Sequence, residues 1–207
     1  MRNITKNHEP HSLTEHRKQP HADYENYTRK DDLRRSLVDE QRGLCCYCMS
    51  RIRPTNDGMK IEHWHCRESY PDEQLDYQNL LGACLGNQGA KPGEQHCDTR
   101  KGNQDLSINP ADPACDVERL IRFLGDGRIT SDDENVDREL NEILNLNLDR
   151  LVNNRRAVLD SFKERLGKAP LRPERELPKW DGTDGGELPE FAQVIVYWLR
   201  KKLARSS

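Results

Sequence analysis

The chain has few apolar residues for its length and lacks a long apolar run. Of its 207 residues, 33% are hydrophobic and another 33% are charged. A run of about 18 apolar residues, the length at which a membrane-crossing helix is expected, is missing. The first residues also lack the apolar stretch of a secretory signal. These absences predict a soluble cytosolic protein without a membrane contact, whose small core needs a metal ion or a partner for full order.

A strong positive charge is missing as well. The formal net charge is -3, whereas proteins that coat nucleic acid without selectivity are usually basic. A local excess of arginine and lysine over residues 150–175 is compatible with a phosphate backbone, and equally with a solvated helix face. Internal repeats and base-reading modules are not recognisable. The amino-acid sequence therefore does not predict a preferred nucleotide sequence.

The first half of the chain predicts a small mixed centre behind a polar segment. Residues 1–30 show neither helical nor strand periodicity, which predicts an extended N-terminal arm. A helix is predicted from Asp31 to Gly43, because acidic residues favour a helix start and glycine a helix end. Two short segments, 48–53 and 59–64, flank a turn and predict a β-hairpin. Residues 82–95 are polar and glycine-rich, as is typical of a loop.

The second half of the chain is predicted to be mainly helical. Apolar residues recur at helical spacing over residues 136–166, and a final helix is predicted over 188–204. Residues near 167–187 are rich in proline and glycine and predict a linker. The fold class is therefore α+β. We divide the chain into an arm (1–30), a core (31–112) and a helical C-terminal region (113–207).

The seven cysteines predict a zinc site. An odd number in a reducing compartment favours metal ligands and buried thiols over disulfides. Cys45 and Cys48 have the C-x-x-C spacing of a zinc knuckle, and Cys84 and Cys97 can complete a tetrahedron of four thiolates. Closing the long loop between Cys84 and Cys97 costs little free energy, because the entropy of loop closure grows only with the logarithm of the loop length. Such a structural Zn²⁺ contributes on the order of 10 kcal/mol of apparent folding free energy in small peptides.

The other potential ligands near these cysteines leave alternatives open. Cys46, Cys66 and Cys115 are interpreted as packed thiols. His96 is adjacent to Cys97 and is able to replace one thiolate, and the participation of His65 in a metal site also stays open.

A second group of residues follows the first cysteine pair in a recognisable order. Glu62 and His63 end the second predicted strand, Asn79 stands in an Asn-Leu-Leu stretch, and Cys97 opens the sequence Cys-Asp-Thr-Arg-Lys. The order C-x-x-C, acid-His, Asn-Leu, Cys and Cys-Asp-x-x-Lys resembles the HNH, or ββα-metal, nucleases. The expected core is thus a zinc-stapled ββα-metal core.

The resemblance implies a role for each residue of this group. Phosphodiester hydrolysis needs an activated water, and the neutral imidazole of His63 is suited to take its proton. The family pattern makes Glu62 and Asp98 the ligands of a catalytic Mg²⁺ or Mn²⁺, since carboxylates suit such hard cations. It makes Asn79 the residue that fixes the loop and the histidine.

Each of these residues also has a simpler interpretation. Asn79 is suited to cap a loop, which is compatible with its family role. Asp98 is suited to cap the following helix, Glu62 to face solvent from a strand, and His63 to be a satisfied core histidine. Arg100 or Lys101 is suited to contact a phosphate of nucleic acid.

Further stretches are similar to the PtuB family, the HNH proteins associated with retron and Septu anti-phage defence. The resemblance covers residues 1–166 and rests on residues 9–13, 59–64, 106–110, 124–127, 144–147 and 153–156.

The resemblance implies partners as well as an activity. PtuB-like proteins work with PtuA, an ATPase of the ABC/SMC type, and sometimes with a retron reverse transcriptase and its RNA–DNA hybrid. We expect a metal-dependent HNH endonuclease that hydrolyses phosphodiester bonds, with DNA as the favoured target and RNA such as tRNA as a further one. The alternative is a non-catalytic zinc-binding adaptor that recruits the ATPase.

Overall fold

The computed structural model describes residues 1–168 and 172–205, and it has an α+β fold. The helices are α1 (His11–Arg17), α2 (Lys30–Glu40), α3 (Cys97–Lys101), α4 (Val117–Leu120), α5 (Glu134–Arg138), α6 (Asp149–Lys168), α7 (Pro173–Asp181) and α8 (Ala192–Leu203). The strands are β1 (Lys60–His63), β2 (Leu80–Ala83), β3 (Arg122–Phe123) and β4 (Ile129–Thr130).

Strands β1 and β2 form the small sheet that carries the site. They pair antiparallel, with His63 opposite Leu80 and Lys60 opposite Ala83. The prediction of a hairpin between residues 48–53 and 59–64 was therefore wrong. Residues 44–51 form a tight turn closed by one bridge between Leu44 and Arg51, and β1 pairs instead with a segment 17 residues further along the chain. Strand β2 also occupies the start of the predicted loop 82–95.

The N-terminal segment is packed onto the protein, contrary to the predicted extended arm over residues 1–30. It contains α1, and the side chains of Met1, Leu13 and Tyr27 are buried in the common core. The backbone N–H of Ile4 donates to the carbonyl of Pro110 at 2.7 Å. These apolar positions are too widely spaced to produce a periodic pattern.

The C-terminal region is helical, with differences in detail. The periodic stretch 136–166 is divided: α5 continues into a π-helical turn (Glu139–Ile143), and α6 begins at Asp149. The predicted linker near 167–187 contains α7, whose first residue is Pro173, a favourable first position of a helix. The part of that linker at 169–171 lies outside the described residues. Helix α8 follows and buries Val194, Ile195 and Leu199.

One cluster of buried residues extends from Met1 to Leu199 and joins the three segments of the chain. The division into arm, nuclease core and helical region stays a prediction. Across residues 1–168 and 172–205, none of the helices combines the length and apolar character needed to cross a membrane.

Candidate active site and metal centre

Four cysteine sulfurs converge at one point of the fold. The Sγ atoms of Cys45, Cys48, Cys84 and Cys97 all lie within 4.8 Å of one another. The Cys45–Cys97 and Cys48–Cys84 sulfur distances are 3.9 Å and 3.7 Å. Four thiolates at about 2.3 Å from a tetrahedral zinc ion stand about 3.8 Å apart. The structure thus brings together the four predicted ligands in an arrangement that is able to hold a metal ion such as zinc.

Tight backbone turns place these sulfurs. Met49, directly after the C-x-x-C pair, has a positive φ of 67°, and the N–H of Met49 donates to the carbonyl of Cys45. The second pair depends on Gly86, where an added Cβ would lie 2.2 Å from the carbonyl oxygen of His96. The N–H of His96 donates back to the carbonyl of Gly86 at 3.1 Å. A side chain at Gly86 would therefore push the Cys84 and Cys97 segments apart.

His96 contacts the sulfur cluster and is not a member of the four-sulfur group. Its Nε2 lies 3.0 Å from an Arg150 nitrogen, which can only donate, so Nε2 accepts. The proton is then on Nδ1, which lies 3.1 Å from Cys97 Sγ and donates to it. Such a bond orients a metal-ligating thiolate. Within the described residues, Cys46, Cys66 and Cys115 lie outside the four-sulfur group, and burial raises the pKa of the Cys46 thiol.

The side chain of His63 lines a cleft of about 470 Å³ between β1 and α3. Its Nε2 lies 3.0 Å from the carbonyl oxygen of Gln74. Because that oxygen only accepts, the proton is on Nε2 and Nδ1 keeps its lone pair. Burial lowers the pKa of His63 to about 4, despite the opposing effect of the Gln74 carbonyl. The imidazole is therefore neutral near pH 7, and one of its ring nitrogens is able to accept a proton.

Asn79 holds the loop that connects β1 to β2. Its Oδ1 accepts from the N–H of His65 at 2.7 Å, while its Nδ2 donates to the carbonyls of His65 and Glu73 at 3.0 Å and 3.3 Å. Glu73 immediately precedes Gln74, whose carbonyl orients His63. The buried amide thus connects both ends of the loop, while its role in positioning the histidine stays a prediction.

Glu62 and Asp98 form a network of ion pairs with two lysines between β1 and α3. Glu62 is only 2% exposed, and its Oε1 pairs with the Lys101 ammonium at 2.9 Å. Oδ2 of Asp98 pairs with Lys60 at 2.6 Å. The alternative of a solvent-facing Glu62 is therefore wrong. Asp98 stands after the first residue of α3, so it is not the N-cap of that helix.

The two carboxyl groups are close enough to influence each other. Burial, and then the negative charge of Asp98, raises the pKa of Glu62 well above its usual value. For Asp98, burial would raise the pKa, but a hydrogen bond from Glu62 and the charge of Lys60 outweigh it and lower the pKa. The lysine contacts are made by Oε1 of Glu62 and Oδ2 of Asp98. Two carboxyl groups beside a cleft fit the preference of Mg²⁺ or Mn²⁺ for oxygen ligands.

Lys101 and Arg100 lie in different surroundings. Lys101 is 1% exposed and bonds Glu62 and the carbonyl of His63, so it lies below the surface that a phosphate could reach. The prediction of a phosphate contact at Lys101 is therefore replaced by a structural role. The Arg100 guanidinium, half-buried, donates to the carbonyls of Pro92 and Glu142. Its contact with nucleic acid stays a prediction.

His65 lies away from both potential metal sites. Its Nδ1 is 2.7 Å from a Glu73 carboxylate oxygen, and its ring stacks on Tyr70 with the centroids 4.1 Å apart. Within the described chain it belongs neither to the four-sulfur group nor to the lining of the cleft.

Tyr47 is a site residue that the sequence interpretation missed. It stands between Cys45 and Cys48 in the knuckle, is fully buried, and donates from its hydroxyl to Glu62 Oε1 at 2.8 Å. The four-cysteine site and the carboxylate pair are thus joined through one side chain. A tyrosine inside a C-x-x-C pair was the available signal, but its partner became visible only in three dimensions.

We expect Tyr47→Phe to lower the free energy of unfolding by about 1–3 kcal/mol, because it leaves the buried Glu62 carboxyl without one of its donors. Urea denaturation of both proteins measures the change. Tyr197→Phe is the control, since the Tyr197 hydroxyl is on a partly exposed residue of α8, and it should leave stability within about 0.5 kcal/mol. Equal stability of wild type and Tyr47→Phe would contradict the importance of this bond.

Comparisons with known proteins agree with the sequence resemblance. No known family profile matches the chain. The chain is 26% identical over 129 residues to the Septu protein PtuB of Bacillus thuringiensis. The aligned region covers 59% of this chain and 44% of that protein, so the chain spans less than half of the length of this curated relative. The resemblance to PtuB is thereby confirmed.

Proposed function

We propose that this protein is a metal-dependent endonuclease of the HNH type, with His63 as the general base. The observation that carries the proposal is the arrangement at the cleft: His63 presents a neutral imidazole with a lone pair on Nδ1, and the Glu62–Asp98 pair lies beside it between β1 and α3. A ββα order stapled by four cysteines supports the same interpretation.

The residues of the chain divide the chemistry between them. His63 Nδ1 takes a proton from the attacking water, and the Gln74 carbonyl keeps the ring oriented and its other nitrogen protonated. Asn79 fixes the loop that provides this carbonyl. Glu62 and Asp98 would hold one Mg²⁺ or Mn²⁺, which when bound supplies Lewis acidity toward the phosphate and stabilises the leaving oxygen. Lys60 and Lys101 orient the two carboxylates.

The resemblance to PtuB supports a role for this activity in anti-phage defence of the Septu or retron kind. We propose a PtuA-like ATPase of the ABC/SMC type as partner, and in a retron setting the reverse transcriptase with its RNA–DNA hybrid. DNA is the favoured target. RNA, including tRNA, is a further one, because attack by an external water does not require a 2′-hydroxyl.

One observation favours the alternative of a non-catalytic zinc-binding adaptor. Both carboxylates already pair with lysine ammonium groups, at 2.6 Å and 2.9 Å, which neutralise the charge that attracts a cation. In this interpretation the cleft network only stabilises the fold. The adaptor would recruit the ATPase through its surface.

Cleavage assays separate the two proposals. Protein carrying zinc, dialysed free of other metals, is incubated with plasmid DNA and with tRNA, alone and with the ATPase. We expect cleavage with added Mg²⁺ or Mn²⁺ and none without it, since zinc in the four-cysteine site has no open position for catalysis. The preferred substrate distinguishes a DNA target from an RNA target.

The zinc content of the protein is measured in parallel, so that a failure of folding is recognised. Intact, zinc-loaded protein that cleaves neither substrate with either metal, with and without the ATPase, would contradict the nuclease proposal and favour the adaptor.

A further inference from the structure

An aromatic residue of the N-terminal segment forms part of the wall beside the proposed base. The ring of Tyr24 meets the ring of His63 edge-on, with the centroids 4.6 Å apart and the planes at 85°. The N–H of Tyr24 donates to the side chain of Gln74, the residue whose carbonyl orients His63. Residues before α2 are therefore built into the site.

Two cations lie over the Tyr24 ring. The Arg67 guanidinium carbon is 4.7 Å from the ring centroid, and the Lys30 ammonium is 4.6 Å from it. Arg67 also lines the cleft that contains His63 and Asp98. Stacking on an aromatic face restrains a guanidinium, which lowers the entropy cost of a further bond to it.

The anionic partner of Arg67 is weakly held. Arg67 pairs with Glu25, and the side chains are 40% and 73% exposed. Exposed pairs of this kind contribute little, about 0–1 kcal/mol, because water screens them. A phosphate offers the same guanidinium a bidentate, doubly hydrogen-bonded partner. Replacement of the Glu25 carboxylate by a phosphate as the partner of Arg67 therefore costs little free energy and is favourable.

We propose that Arg67, held on Tyr24, binds a backbone phosphate of the nucleic-acid strand in the cleft, and that Glu25 occupies this position in the free protein. The inference rests on the proposed nuclease function, and it names the side chain that positions the strand. Lys30 adds positive charge on the same ring. The N-terminal segment thereby forms part of the protein surface that binds the substrate.

Binding is measured separately from cleavage, so that the two proposals fail distinguishably. Fluorescein-labelled DNA duplex and single-stranded RNA are titrated with the His63→Ala protein in Ca²⁺, and affinity is read from anisotropy at several salt concentrations. We expect Arg67→Gln to weaken binding about tenfold. The slope of log affinity against log salt concentration should decrease by the amount that corresponds to the loss of about one phosphate contact. Glu25→Gln should strengthen binding two- to fivefold.

The control is Arg128→Gln, which breaks a similarly exposed arginine–carboxylate pair, with Asp126, outside the cleft lining. It should change neither the affinity nor the salt slope. Wild-type affinity and slope in Arg67→Gln, an equal loss in Arg128→Gln, or no binding of either probe would overturn the inference. Arg67-dependent binding without any cleavage by the wild type would support it while contradicting the nuclease.

Discussion

Replacing His63 by alanine is expected to lower the rate of nucleic-acid cleavage about 10²–10⁴-fold, the usual contribution of a well-placed general base. The variant loses the ring nitrogen that would take the proton from water. The fold should survive, because the side chain lines the cleft and the substitution removes one hydrogen bond, to Gln74, worth about 1 kcal/mol. Single-turnover rates with Mg²⁺ and saturating substrate measure the effect.

His11→Ala is the matched control, since its side chain is 86% exposed and it stands on α1. It should cleave at the wild-type rate. Zinc content, the unfolding midpoint and nucleic-acid affinity should be close to wild type in both variants. A His63→Ala protein that cleaves as fast as wild type would show that another group is the base.

Replacing Cys97 by serine is expected to abolish stoichiometric zinc binding and to lower the free energy of unfolding by at least about 3 kcal/mol. An ion held by the four sulfurs would connect the knuckle at Cys45 and Cys48 to the start of α3, so its loss would free the helix that carries Asp98. For a chain of this size, such a loss corresponds to a decrease in melting temperature of about 6–12 °C. Zinc is quantified by metal analysis and stability by thermal unfolding.

Cys115→Ser is the control variant, because it also removes a thiol but not one of the predicted zinc ligands. Cys115 is half-buried and lies outside the four-sulfur group among the described residues. The Cys115→Ser protein should retain zinc and have a melting temperature close to that of wild type. Full zinc occupancy in Cys97→Ser, or loss of zinc in Cys115→Ser, would mean that the ligands are assigned wrongly.

The sequence was informative where chemistry depends on residue type and local spacing. Cys45 and Cys48 are three residues apart, which fixes them on one turn, and their predicted partners Cys84 and Cys97 lie at the same point. The stretch ending in His63 was correctly predicted as a strand. Local spacing determines these features, so they are accessible without a structure.

Long-range pairing was not accessible in the same way. The register of β1 against β2 depends on contacts across a 16-residue connection, whereas the predicted hairpin needed only a nearby turn. Lys101 was predicted as a phosphate contact, which requires an accessible ammonium group, but its side chain is 1% exposed. Its burial follows from Glu62, a partner that no local pattern reveals. The N-terminal segment was misjudged because its buried residues are isolated among polar ones.

The hydrogen bond from Tyr47 to Glu62 has a consequence for metal loading. Tyr47 is carried on the turn between two sulfur ligands, so occupation of the sulfur site restrains a donor to the carboxylate proposed for the cleft ion. By thermodynamic linkage, any factor by which zinc raises the affinity of the cleft for Mg²⁺ must equally be the factor by which Mg²⁺ raises the affinity of the sulfur site for zinc. The two ions would then act as reciprocal effectors of each other.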